Sequence, residues 1–376
     1  MTCSSQTLEV LERLIAFPTI PDNSNRALID YVEAYLRDRG FAVTRLPDDT
    51  GEKAGLVATL GPAGAGVLLS AHTDVVPVEG QEWTRAPFKL SRDQDRLYGR
   101  GTTDMKGYVA SVLAVADRAA VADLKEPLKI VLSFDEEIGC VGIRQMIGDV
   151  APLIGHPRAC FVGEPTGMEV AVGHKGKAAL RAICHGQAGH SALAPQFTNA
   201  LHVATDFINA LRGLQDDLAR NGARDEAYGI PYSTVHVGKL SGGTALNIVP
   251  DHAKLLFEYR HLAADTPEEM RARIDACADA VRGEIEIEEL NAYPGLDVPE
   301  AHDVVGFAQR MAHTNGITKV PFGTEAGFFD ALGIPTVVCG PGSMEGQGHK
   351  PDEYIEMSQL AACDAMMDRI LQEISQ

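Results

Sequence analysis

Four short, mostly apolar runs in this chain each lead into a residue that can bind a cation. "GVLLSA" leads to His72, "KIVLSF" to the doublet Glu136-Glu137, "ACFV" plus one glycine to Glu164, and "PTVVCGPG" towards His349. Runs of this length and composition read as strands buried on both faces. Strands alternating with helices imply an α/β fold, with a mixed, mostly parallel sheet flanked by helices. In such a sheet, ligands bind beyond the carboxyl ends of the strands. Residues far apart in sequence can therefore meet on one rim.

The intervening segments carry helical stripes. Residues 7–17 place Leu8, Leu11, Leu14 and Ile15 on one face, and residues 25–39 do the same with Leu28, Val32, Tyr35 and Leu36 before Gly40. Residues 105–120, 302–313 and 357–374 are further expected helices. Residues 41–46 read as a strand that alternates. Near residue 175 the pattern changes. Strands over 178–184, 233–240, 253–259 and 284–290 are interleaved with helices over 199–211 and 267–281, in the order β-α-β-β-α-β of a ferredoxin-like α+β unit. The expected organisation is a discontinuous domain, 1–174 and 293–376, interrupted by an insert at 175–292.

Charge narrows the function classes. Lys and Arg number 33 and Asp and Glu 52, a net charge of −19, so the chain has no electrostatic reason to bind nucleic acid or an anionic membrane. Seven widely spaced cysteines with no CxxC argue against a disulfide framework or a structural zinc finger. No apolar stretch approaches the ~20 residues of a membrane span. "MTCSSQTLEVLERL" lacks the basic-then-apolar pattern of a secretory leader. A reducing cytoplasm is the expected location.

The candidate ligands are His72, Asp104, Glu137, Glu164 and His349, within "LLSAHTD", "GRGTTDMKG", "LSFDEEIG", "FVGEPTG" and "GPGSMEGQGHKPDEY". Two imidazoles and three carboxylates, with Glu136 to spare, match two divalent ions sharing one carboxylate and leaving one carboxylate as a base. A metal-dependent hydrolase follows as the expected class. Asp74, two residues after His72, lies on the same side of an extended segment and can orient the His72 ring.

Taken together, "SAHTDVVP", "GRGTTDMKG", "FDEEIG" and "GEPT" resemble, in order and spacing, the acetylornithine deacetylase / succinyl-diaminopimelate desuccinylase family of di-zinc amidohydrolases, which includes aminoacylases and glutamate carboxypeptidases. The resemblance runs from Leu8 to the closing helix. It implies a zinc-exopeptidase-like fold with a ferredoxin-like lid or dimerisation domain. It implies two divalent ions, zinc first and cobalt as an alternative. Asp104 would bridge them, His72 and Glu164 would complete one site, and Glu137 and His349 the other. Glu136 would be the general acid/base, and the bond after Asp104 would be cis. In the insert, "GQAGHSALAPQFTNA" implies that His190 helps bind the scissile carbonyl, in its own subunit or across a homodimer interface. "ALNIVPDHAKLLFEYR" implies Asn247 and Arg260 as substrate-binding residues.

"FGTEAGFF" and "GPGSMEGQGHKPDEYI" are more similar to the acetylornithine deacetylase branch than to the desuccinylases. The expected reaction is hydrolysis of an N-acyl amino acid, N2-acetyl-L-ornithine foremost, with Glu325 pairing with the substrate ammonium. The alternatives are a desuccinylase, a dipeptidase or another N-acyl amino acid deacylase. An alternative of another class is a non-catalytic metal-binding protein, against which the spare Glu136 argues.

Overall fold

The computed structural model describes residues 3–376, which divide into two compact units. One runs to Gly173 and takes in Asp297–Val320 and Thr324–Gln376; the other is His174–Leu296 with Pro321–Gly323.

The first unit is built on a nine-stranded mixed sheet. Its centre is parallel: Leu128–Ser133, Val67–His72, Ala159–Pro165 and Thr336–Gly340 lie side by side in that order. Outside Leu128–Ser133 come Ala54–Leu60 and Ala42–Pro47, both antiparallel to their neighbours. Outside Thr336–Gly340 comes Val170–His174, again antiparallel. The parallel core is thus confined to the four strands that lead to the candidate ligands. These strands are buried along their whole length, as strands covered on both faces must be.

Helices cover the sheet. Lys106–Ala119 is apolar on nearly every face because it packs between Ser5–Ile15, the closing helix Met357–Glu373 and the sheet. Ser4 caps Ser5–Ile15 by accepting the Thr7 N–H at 3.0 Å. Among the elements outside the sequence expectation are strand Ala54–Leu60 and helix Val141–Ile154. The latter carries Gly142, Gly148 and Pro152, which weaken any helical signal in sequence. No described helix is long and apolar enough to cross a membrane.

The second unit is a four-stranded antiparallel sheet with two helices. The strand order is Thr234–Gly242, His252–His261, Gly176–His185, Ile285–Tyr293, the ferredoxin-like arrangement. Burial alternates residue by residue along Gly176–His185, so one face is packed and the other wet. Helices Ala200–Asn221 and Pro267–Asp279 pack on the inner face through Phe207, Leu211, Leu214, Met270 and Ile274. Phe207 meets Phe257 edge to face at 5.7 Å. Ala200–Asn221 runs a further ten residues past the expected end, because Leu214 and Leu218 continue its buried stripe.

One close approach fixes the strand that carries Glu164. A Cβ on Gly163 would meet the ring of buried Tyr108 at 2.1 Å, and the Tyr108 hydroxyl donates to the Phe161 carbonyl at 3.2 Å. Gly163→Ala must therefore displace the ring or bend the strand. It should destabilise the protein by about 1–3 kcal/mol, read as a lower denaturant midpoint with an unchanged m-value.

Candidate metal centre

The ends of the parallel strands bring the five expected ligands together. His72 is the last residue of its strand and is 1% exposed. Asp104 precedes helix Lys106–Ala119, and the Asp104–Met105 bond is cis. Glu164 lies within Ala159–Pro165, Glu137 follows Leu128–Ser133, and His349 stands in the loop after Thr336–Gly340 with a left-handed φ of 59°.

The Asp104 carboxylate is divided between two imidazoles. Its Oδ1 lies 3.1 Å from His72 Nε2 and its Oδ2 lies 3.0 Å from His349 Nε2. Beyond His72, Glu164 Oε1 is 3.7 Å from Nε2; beyond His349, Glu137 Oε2 is 3.0 Å from Nε2. Each half thus pairs one histidine with one carboxylate of its own, and Asp104 serves both. Donor atoms of His72, Asp104 and Glu137, and of His72, Glu136 and Glu164, also lie within 4.8 Å of one another.

The donor set calls for cations. Four carboxylates, Asp104, Glu136, Glu137 and Glu164, surround two imidazoles, of which His72 is buried and His349 exposed. Burial pushes the Glu136 and Glu164 carboxyls well above the usual range, and neighbouring carboxylates add to the effect. Burial and Asp104 together raise Glu137 to about 7. Burial works against the His349 cation, yet its bonds to Asp104 and Glu137 outweigh it and hold the ring up at about 10. Glu137 Oε1 has no hydrogen-bond partner. Clustered, desolvated like charges are costly unless opposite charge offsets them. Divalent ions would supply that charge and the missing partner.

Supporting groups modify one expectation. The His72 ring does not rest chiefly on the Asp74 carboxylate. Its Nδ1 is 3.0 Å from the Asp74 carbonyl and 3.5 Å from Oδ1. The two Asp74 oxygens instead accept the backbone N–H groups of Glu136 and Glu137, each at 3.1 Å. Asp74 thereby holds the Glu doublet as well as the imidazole. Glu136 Oε1 accepts from the Cys140 thiol at 3.2 Å.

Glu325, expected to pair with a substrate ammonium, is 1% exposed, and neither of its oxygens has a hydrogen-bond partner. Burial pushes its carboxyl up to about 7.

Sequence reasoning also overlooks Arg100 and Glu353, a fully buried pair 2.6 Å apart. Glu353 Oε1 accepts the N–H groups of Gly101, Thr103 and Asp104 at 3.0, 2.9 and 3.2 Å. Both lie in phrases already singled out, "GRGTTDMKG" and "GHKPDEY"; nothing local says that they pair.

The remaining expected residues belong to the second unit. His190 is exposed, in a short strand pairing with Ile248–Val249. Its Nδ1 accepts the Ala192 N–H at 3.1 Å, which leaves the proton of a neutral ring on Nε2. Asn247 is the neighbour of Ile248, and its carbonyl accepts the Ser191 N–H at 3.0 Å. Arg260 is elsewhere. It sits near the end of His252–His261 and donates Nε to Glu258 at 3.1 Å. Eight extended residues from His252 to Arg260 span about 27 Å at ~3.4 Å each. Arg260 is thus about 27 Å along the strand from His252, the end nearer to Asn247 in sequence.

The sequence profile of peptidase family M20/M25/M40 matches residues 68–373. The chain belongs to that family. An acetylornithine deacetylase from Klebsiella pneumoniae (strain 342) is 34% identical over 363 residues, covering 93% of this chain and 92% of the relative. An M20 family metallo-carboxypeptidase from Sulfolobus solfataricus superposes with a TM-score of 0.80 at 19% identity, covering 99% and 100% of the two chains. A dinuclear metal-binding peptidase of the M20 family from Bacillus subtilis superposes with a TM-score of 0.68 at 16% identity, covering 98% of each. Within M20/M25/M40 the chain is a hydrolase, and its mixed α/β sheet flanked by helices is the fold those solved structures share.

Glu325 offers a test of the electrostatics. Below about pH 4.5 its carboxyl is neutral in folded and unfolded states alike, and burial costs nothing through ionisation. Between 4.5 and about 7 the unfolded chain ionises and the folded one does not, so stability falls as pH rises; above about 7 the loss is constant, on the order of 3 kcal/mol. Glu325→Gln in metal-free protein should thus raise the unfolding midpoint at pH 8 and leave it nearly unchanged at pH 4.

Proposed function

We propose that this chain hydrolyses the amide bond of an N-acyl amino acid, with N2-acetyl-L-ornithine the substrate, releasing acetate and the free amine. The observation that carries this reading is the Asp104 carboxylate shared between His72 and His349, with the half-buried Glu136 beside them. The extended identity to an acetylornithine deacetylase supports the choice of substrate.

His72 and Glu164 would hold one divalent ion, Glu137 and His349 the other, and Asp104 both. Imidazole and carboxylate donors suit zinc, with cobalt an alternative. Such ions, when bound, supply Lewis-acid polarisation of the acyl oxygen and lower the pKa of the attacking water.

The residues of the chain do the rest. Glu136 removes a proton from the water as its oxygen bonds to the acyl carbon. The same carboxyl returns that proton to nitrogen as the C–N bond breaks, leaving acetate and an amine. A base suited to both steps needs a pKa close to neutral, and burial raises Glu136 in that direction. Asp74 keeps Glu136 in place through its backbone N–H. His190, with its proton on Nε2, donates to the developing oxyanion.

The length of His252–His261 shapes the assembly. An N-acyl amino acid is far shorter than the about 27 Å between the two ends of that strand. We assign Arg260 to the α-carboxylate, and His190 with Asn247 to the substrate of the partner protomer in a homodimer.

Two measurements test this. Glu136→Gln should keep both ions and lower kcat by about 10²–10⁴-fold; an unchanged kcat removes Glu136 from the reaction. Co-expressed Glu136→Gln and His190→Ala chains, each inactive alone, should recover roughly a quarter of wild-type activity, since half of the randomly paired dimers would hold one complete site. No recovery would place His190 in its own protomer. A panel of N-acetylornithine, N-acetylcitrulline, N-succinyl-diaminopimelate and dipeptides, with added zinc, tests the substrate.

A further inference from the structure

The five candidate ligands are not held equally. His72, Asp104 and Glu164 are no more than 5% exposed, and two of the three belong to strands. The His349 side chain is 43% exposed and stands in an irregular loop. Its ring has carboxylate neighbours on one side only. What holds its backbone is a side chain from a distant segment: Gln81 Nε2 donates to the His349 carbonyl at 3.2 Å.

Gln81 is itself fixed from the other end. Its Oε1 accepts from Arg100 Nη2 at 2.5 Å and from Trp83 Nε1 at 3.1 Å. Arg100 is 0% exposed, lies 5.0 Å from the Trp83 ring centre, and is paired through Nη1 with Glu353. Glu353 closes the circuit on the amides of Gly101, Thr103 and Asp104. A continuous chain of hydrogen bonds thus runs from the backbone of Asp104 to the backbone of His349, outside the cluster of ligand atoms. Its links through Glu353 and Arg100 involve ionised, buried groups, the kind worth most in a desolvated setting, and its last link, from Gln81 to His349, is a neutral bond at the surface.

We propose that Gln81 is a positioning residue for the metal centre. Through Arg100 and Glu353 it is fastened to the loop that carries the shared carboxylate, and through its amide N–H it sets where His349 stands relative to Asp104. This rests on the reading of the cluster as a two-ion site. The two halves then differ: the His72 half is set by strand geometry, and the His349 half by this relay. Gln81 is only half-buried, so replacing it leaves the core intact. Trp83 is the single tryptophan of the chain and shares the Gln81 oxygen, so it reports on the relay without a label.

The decisive variant is Gln81→Glu. It keeps an acceptor for Arg100 and Trp83, replaces the N–H given to His349 with a carboxylate oxygen that the His349 carbonyl repels, and adds one negative charge, which by itself would favour cation binding. Titration of metal-free protein with Zn²⁺ in a calorimeter should show two equivalents for wild type. In Gln81→Glu one equivalent should weaken by about 10–100-fold, the usual effect of removing a group that orients a metal ligand. The other should stay within about 2-fold, and the melting temperature of the metal-free form should be unchanged. Trp83 emission of wild type should change with the weaker equivalent. Gln81→Ala should weaken the same equivalent. Wild-type affinity for both equivalents in Gln81→Glu, with Trp83 emission indifferent to zinc, overturns the relay. Uptake of no ion by wild type overturns the two-ion reading, and the relay falls with it.

Discussion

One carboxylate shared by two imidazoles organises this protein. Asp104 reaches His72 with one oxygen and His349 with the other, and the remaining ligands follow from that division. Placing it requires the turn before helix Lys106–Ala119 to stop at one spot. Three amides of that turn point at a single oxygen of Glu353, and Lys106 Nζ donates to the Phe17 carbonyl at 2.7 Å from within the core. A buried lysine and a buried glutamate are each expensive. Here each satisfies backbone groups that would otherwise lie unpaired beside the pocket.

The pocket itself concentrates negative charge. Burial raises Glu136, Glu137 and Glu164, while the two histidines are raised despite burial because carboxylates adjoin them. Without cations the cluster must keep extra protons; with them it can release those protons. The same crowding leaves Glu136 with a thiol and a backbone tether as its company, so it is held in place without being committed to a strong ionic partner.

Most of the candidate ligand positions are legible in sequence because they follow apolar runs, Asp104 in its Gly-rich turn being the exception. The parallel centre of the sheet and the ferredoxin-like insert are legible for the same reason, since periodicity reports burial on one face or two. What sequence does not carry is partner choice. His72 and Asp74 stand two apart, which puts them on one side of an extended segment, but not what lies beneath; the Asp74 oxygens meet the amides of the Glu doublet instead. Glu325 is expected from its charge to meet a substrate ammonium; that tertiary packing leaves it 1% exposed is not carried by the sequence. Arg260 and Asn247 lie thirteen positions apart in one phrase, which reads as proximity until the segment between them is seen to be mostly a single straight strand. Helix Val141–Ile154 is missed because glycine and proline interrupt its stripe, and packing overrides that weak propensity.

The insert also has a consequence for biogenesis. Thr336–Gly340 is a central strand, parallel to Ala159–Pro165, yet the ribosome makes the whole second unit between them. Until the later strand emerges, the nascent sheet ends at Ala159–Pro165, an apolar edge with unpaired amides that invites pairing with other chains. Val170–His174 cannot stand in, because it joins this part of the sheet through Thr336–Gly340. Completion of the sheet therefore waits on nearly the entire polypeptide.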